Sequence, residues 1–164
     1  MAARRLAVVM LIWCAGCGVT KFTTTSAGGT GLPPAKDSRF CVVVPDDGRY
    51  GDIVYKGSGQ LVAQRVLTAL KQGGYDAQIG CSGPFRITAD LILWEDRATA
   101  WSGVRDTVKV ALSLFAAESQ TPKKTVVYES TPNWWAASFS DWGQRQPQDL
   151  LTLEFDEAVL ELVR

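Results

Sequence analysis

The residues able to do chemistry are few, and the strongest constraint is a missing type. The 164-residue chain has no histidine. That removes Ser-His-Asp and Cys-His catalysis, histidine-bound metals and histidine pH switching. Glu95, Asp96 and Asp106 fall near the ends of expected strands, where paired carboxylates could hydrolyse a glycoside. Arg97 and Arg105 stand close enough to neutralise them, so an ion-paired strand end is the competing reading. Ser82 and Ser102 have no base spaced to activate them, and neither sits in a G-x-S-x-G elbow. From Gly48 to Gln60 a glycine-rich run joins a strand to a helix, and free N–H groups at such a helix start can hold an anion. The run matches neither G-x-G-x-x-G nor the P-loop pattern, and reads as a βα connection capped by Ser58. The expectation is a non-enzymatic protein with no catalytic residue, metal site or cofactor.

Tryptophan is the other distinctive type, with six in the chain. Trp94, Trp101, Trp134, Trp135 and Trp142 all fall in its second half. Neighbours in an extended segment point to opposite faces, so Trp134 and Trp135 cannot both enter the core. Exposed Trp marks surfaces that bind proteins or sugars; the alternative is that large rings plug a small core. The loop from Asn133 to Gly143 is the expected binding segment, with Trp134, Trp135, Trp142 and Trp101 as binding residues.

Arg4 and Arg5 precede an apolar run from Leu6 to Ala15. A basic start followed by about ten apolar residues suits a secretory signal, and the run is too short to cross a bilayer. Cys14-Ala15-Gly16-Cys17 follows, and resembles the lipobox of bacterial lipoproteins, with Cys14 where leucine is usual. The resemblance implies that residues 1–16 are removed and that Cys17 carries lipid. Gly18, rather than Asp, follows it, which in Gram-negative lipoproteins favours the outer membrane. Two other readings compete. A redox C-x-x-C needs a strand before it and a helix after it, and neither is expected here. Cleavage without lipid would leave Cys17 as an odd thiol in an oxidising compartment. Cys41 and Cys81 then remain, either as a disulfide or as two buried thiols.

The elements that must position these residues can be read in outline. Residues 17–38 comprise the lipidated cysteine and a Gly/Thr/Ser/Pro-rich flexible tether, spanning about 25 Å as a coil. One globular domain follows over 39–164. Phe40 to Val44 reads as a buried strand stopped by Pro45. A helix is expected over 59–72, with Val62, Val66, Ala69 and Leu70 on one face and Gly73-Gly74 as the stop. Asp76 to Ile79 is a second strand, parallel to the first because a helix joins them. Strands over 89–94, 107–115 and 125–130 suggest an antiparallel meander. Pro147 is expected to open a final helix, striped by Leu151, Phe155, Ala158, Val159 and Leu162. The fold class is α/β (α+β): a mixed sheet of about five strands, with a βαβ start, an antiparallel meander and a C-terminal helix, the helices on one face.

Lys+Arg and Asp+Glu number 17 each, which argues against nucleic-acid binding. The stretches Leu93 to Gly103, Gly57 to Ala63 and Pro147 to Leu151 together look like an uncharacterised family of small Gram-negative lipoproteins, a domain of unknown function. That resemblance implies a further helix between the second and third strands, where this chain has only Cys81 to Thr88. The strand order resembles the amino-terminal domain of the Tol translocation protein, a docking fold. The expected function is a lipid-anchored protein on the periplasmic face of the outer membrane. Its partners would be the membrane, through the anchor, and an envelope protein or copies of itself. Glycan or peptidoglycan binding through the Trp-rich loop is the alternative, and a hydrolase using Glu95 or Asp96 is a third reading.

Overall fold

The computed structural model describes residues 19–25, 34–35, 37–95, 106–131 and 146–164. Strand β2 (Arg39–Val42) sits inside the sheet, with a parallel neighbour on each side. Phe40 and Val42 point to one face and are buried under helix α1 (Ser58–Gln72). The expected stripe holds: Val62, Val66, Ala69 and Leu70 are all buried, with Ala63 beside them. Gly73 N–H donates to Ala69 O, and Gly74 takes φ +80°, which ends the helix. The chain then forms β5 (Asp76–Ile79), parallel to β2 with Arg39 opposite Asp76. Between β2 and α1 lies a small hairpin, β3 (Arg49–Tyr50) and β4 (Ile53–Val54).

The next connection is unusual. β6 (Phe85–Glu95) is also parallel to β2, on its other side, with Phe40 opposite Phe85. Only residues 80–84 carry the chain from β5 back across β2, which is possible because β2 and β5 have four residues each. No helix fits here. The segment crosses the sheet face opposite α1. Cys41 points to that face, between Phe40 and Val42, and it is bonded to Cys81 with the Cα atoms 5.2 Å apart. A Cβ on Gly83 would lie 3.0 Å from Cys41 Sγ. The two crossovers run in opposite directions on opposite faces, so they share one hand, as parallel connections require.

The meander follows as expected, with β6, β7 (Thr107–Ala116) and β8 (Lys124–Thr131) antiparallel in turn. Val108, Val110, Leu112 and Leu114 are buried against the helices, while Lys109, Ala111 and Ser113 line the half-exposed opposite face. Ile87 and Trp94 share the core face although one position is odd and the other even. A bulge at Ile92, between Leu91 and Leu93, supplies the extra residue. On the open face the Arg86 guanidinium lies 4.8 Å from the Phe115 ring, and Glu129 pairs with both Lys109 and Lys21.

The final helix begins later than expected. Pro147–Leu150 is a 3-10 turn, and helix α2 spans Leu153–Val163. The cause is Tyr128. Its hydroxyl donates to Leu150 O and accepts from Thr152 N–H at 3.3 Å, using groups that a continuous helix would bond internally. The predicted stripe is nevertheless buried in full. α1 and α2 lie side by side on one sheet face, joined by Arg65–Asp156 at 2.7 Å.

One segment departs from its expected state. Val19–Thr25, inside the stretch read as tether, forms strand β1, antiparallel to β8 from Val19–Thr131 to Thr25–Thr125. Threonine is β-branched and suits a strand, and alternation is hard to see in VTKFTTT because nearly every residue is polar. The described sheet therefore has six strands, in the order β1-β8-β7-β6-β2-β5, and the class is mixed α+β.

Removing the disulfide tests the role of the short crossover. The bond spans 40 residues, for which loop entropy gives about 4 kcal/mol. Replacing Cys41 and Cys81 together by Ser should lower the Tm by about 10–20 °C at this domain size. An unchanged melt would show that packing alone holds residues 80–84.

Candidate functional site

Seven features converge at one end of the sheet. β2, β5 and β6 are parallel, and β8 runs the same way because β7 intervenes. Their carboxyl ends therefore share this end with the β3–β4 hairpin and the start of α1. β1 is antiparallel to β8, so its first residue, Val19, also lies here, opposite Thr131.

The connection from Pro45 to Gly59 is built for close approach. Asp47 Oδ1 accepts from Gly57 N–H and Gly59 N–H, both at 3.0 Å. Ser58 Oγ accepts from Gly48 N–H at 2.7 Å. This corrects the expected cap: Ser58 is the first helical residue, and Asp47, ten residues before Gly57, satisfies the orphan donors. Two of the amides that could have held an external anion are thus filled by the chain's own carboxylate. Bonds from Gly59 and Gly57 hold the Asp47 carboxyl below its ordinary value of 3.8. Gly57, at φ +87°, makes the entry turn. A Cβ on Gly59 would stand 2.2 Å from Pro45 O, and one on Gly48 would stand 2.6 Å from the Trp94 side chain.

Among the described residues, this end exposes four large apolar side chains beside several charged ones. Val43 and Val44, just past β2, are each 40% exposed, and Ile53 and Val54 of the hairpin are 57% and 39% exposed. Arg49, Asp52 and Lys56 flank them. The hairpin is held in place by Tyr55 N–H to Gly48 O at 3.0 Å. The sequence reads here as a βα connection; the signal of a hairpin is the Ile53-Val54 pair between Gly51 and Gly57.

The expected site residues divide. Trp94 is core, 1% exposed. Glu95 ends β6 opposite Thr107, Asp106 is buried beside it, and both are engaged in interactions. Cys17, Asp96, Trp101, Trp134, Trp135 and Trp142 lie outside the described residues. The described strands before the Trp segments end at Glu95 and Thr131, both at this end. Among the described residues, no three His, Cys, Asp or Glu side chains group as metal ligands.

Two variants test the connection. Gly59→Ala must displace backbone, and should cost about 1–3 kcal/mol in a melt. The lowered Asp47 carboxyl contributes stability that is fully present above its ordinary value and is lost as pH falls through the depressed one. Asp47→Asn should therefore shrink the acid-side fall in Tm below about pH 4. Parallel acid limbs would assign that fall to other carboxylates.

No family model and no curated protein matches the sequence. Solved structures do match in fold. PelC of Paraburkholderia phytofirmans, a dodecamer, superposes with a TM-score of 0.59 at 12% identity, over 88% of this chain and 94% of PelC. A single-substitution variant of that dodecamer gives 0.59 at 13% identity over the same shares. A Xanthomonas campestris protein of the DUF330 family gives 0.55 at 14% identity, over 86% of this chain and 91% of its own. At these identities the likeness is one of fold.

Proposed function

We propose that this chain is a lipid-anchored assembly module of the bacterial envelope. In this reading Cys17 carries acyl chains, the outer membrane holds the protein at its periplasmic face, and the domain acts by association rather than by catalysis. The observation that carries the reading is the fold shared with PelC, which is a dodecamer. Descent from an uncharacterised lipoprotein family fits the likeness to a DUF330 protein.

Two features support self-association over docking on an unrelated partner. A ring of many copies needs two different patches on each copy. The described sheet ends in two unlike strands: β1, with Lys21, Thr23 and Thr25 exposed, and β5, with Asp76 and Gln78 exposed. Each is paired with one neighbour among the described residues, which leaves its outer backbone groups able to extend a sheet.

A second reading, glycan or peptidoglycan binding, is favoured by one observation. The strands before the Trp101 segment and the Trp134–Trp142 segment end on the same side of the fold. Sedimentation with purified cell wall separates the readings, since an assembly module alone stays in the supernatant.

Native mass spectrometry of the acylated protein in detergent should find a closed oligomer of several copies. A single copy at every concentration would count against assembly. Cys17→Ala should move the protein out of the outer-membrane fraction, and a variant that still fractionates with that membrane would remove the lipid anchor from the reading.

A further inference from the structure

The register of β1 determines where a lipid on Cys17 would meet the fold. Val19 pairs with Thr131 at the carboxyl end of β8. Only Gly18 separates Val19 from Cys17, and two residue steps reach at most about 7 Å. The attachment point of an acyl chain on Cys17 is therefore within about 7 Å of Val19, which lies at this end of the sheet. The opposite end, with the β7–β8 turn, is out of its reach because β8 itself has eight residues, about 27 Å at strand rise. The end beside Cys17 is also the one that exposes Val43, Val44, Ile53 and Val54.

We infer that this end of the domain rests on the bilayer surface, with the β3–β4 hairpin and Val43-Val44 in the headgroup layer. The inference depends on the lipidation of Cys17 proposed above. Scattered apolar residues need no special explanation on most surfaces. These four differ because a bilayer anchored beside β1 would face the same end of the sheet, although β2 lies four strand spacings, about 19 Å, from β1. The acyl chains supply the attachment, and the apolar side chains choose the orientation. Tethering at this range makes even a weak contact count, because the surface is present at high effective concentration. Arg49, Asp52 and Lys56 flank the hairpin and are exposed. Burying such charges unpaired in hydrocarbon is disfavoured, so the contact stays at headgroup depth. The domain then lies on the membrane rather than standing off it on a tether.

The test uses the full acylated chain in vesicles of phosphatidylethanolamine and phosphatidylglycerol. Ile53→Cys, Val43→Cys and, at the far end, Gln120→Cys each offer one thiol for an environment-sensitive fluorophore, since Cys41 and Cys81 are bonded to each other. All three positions are exposed, so the fold tolerates the change. Labels at 53 and 43 should shift to the blue and be quenched by lipids brominated near the headgroup, while the label at 120 should do neither. Vesicle flotation and an intact mass establish acylation first. Acylated protein with labels at 53 and 120 equally wet overturns the inference alone. A blue shift at 53 without quenching by brominated lipid means that protein covers the hairpin, and also overturns it. Absence of acyl chains in the mass overturns both this inference and the anchor.

Discussion

The structure depends on β2, the strand from which one crossover leaves and over which the other returns. Four residues long, it has parallel partners on both sides and chain passing over both faces. Phe40 and Val42 bury against α1, and Cys41 is tied to the returning segment on the other face. Were β2 longer, five residues could not bring the chain from the end of β5 back to Phe85 beside Phe40. A longer connection would then be required there. The shortness of β2, the tight return and the disulfide are one solution. The return is too brief to carry a core of its own, and a covalent bond supplies what packing cannot.

The same geometry decides what kind of surface the carboxyl end can offer. In many α/β sheets this end holds ligands, because helix amides point into a crevice there. Here Asp47 occupies two of those amides from within the chain. Gly48 and Gly59 let Trp94 and Pro45 approach until no room remains for a Cβ. The connection is therefore filled by its own residues, and the hairpin it supports turns apolar side chains outward. A filled helix start with exposed valines and isoleucine is suited to contact with a surface rather than to holding a small anion.

Local signals made most of the fold legible. The 3.6-residue stripe of α1, the alternation of β7 and the stripe of α2 were readable because each lies within one element. Features set by distant partners were hidden. Asp47 caps a helix that begins eleven residues later, so no capping pattern next to Ser58 announces it. Tyr128 breaks the last helix from a neighbouring strand, and the sequence around Leu151 has no breaker. The bulge at Ile92 breaks the period of β6 beyond Leu91, whereas Phe85, Ile87, Ala89 and Leu91 alternate cleanly before it, so the earlier start of the strand was legible. Of the expected site, the Cys41–Cys81 disulfide is present, and its signal was the single pair of cysteines within residues 39–164. The apolar hairpin was missed because two residues make no period.

β1 shows how composition and pattern can disagree. Gly, Thr and Ser together read as linker, yet threonine alone favours a strand, and seven consecutive register pairs form along β8. The Lys21–Glu129–Lys109 ladder on this strand pair is partly exposed, and such pairs are worth at most about 1 kcal/mol each. The backbone ladder must therefore do most of the holding. Ordering seven residues costs about 1–2 kcal/mol apiece in backbone freedom, so an edge strand with polar side chains survives only where the sheet beneath it is already rigid. β8 meets that condition: Val126, Tyr128 and Ser130 are buried, and the Tyr128 hydroxyl locks the start of α2. β1 is thus held by the same strand whose Tyr128 shapes the last helix, at the far end of the chain.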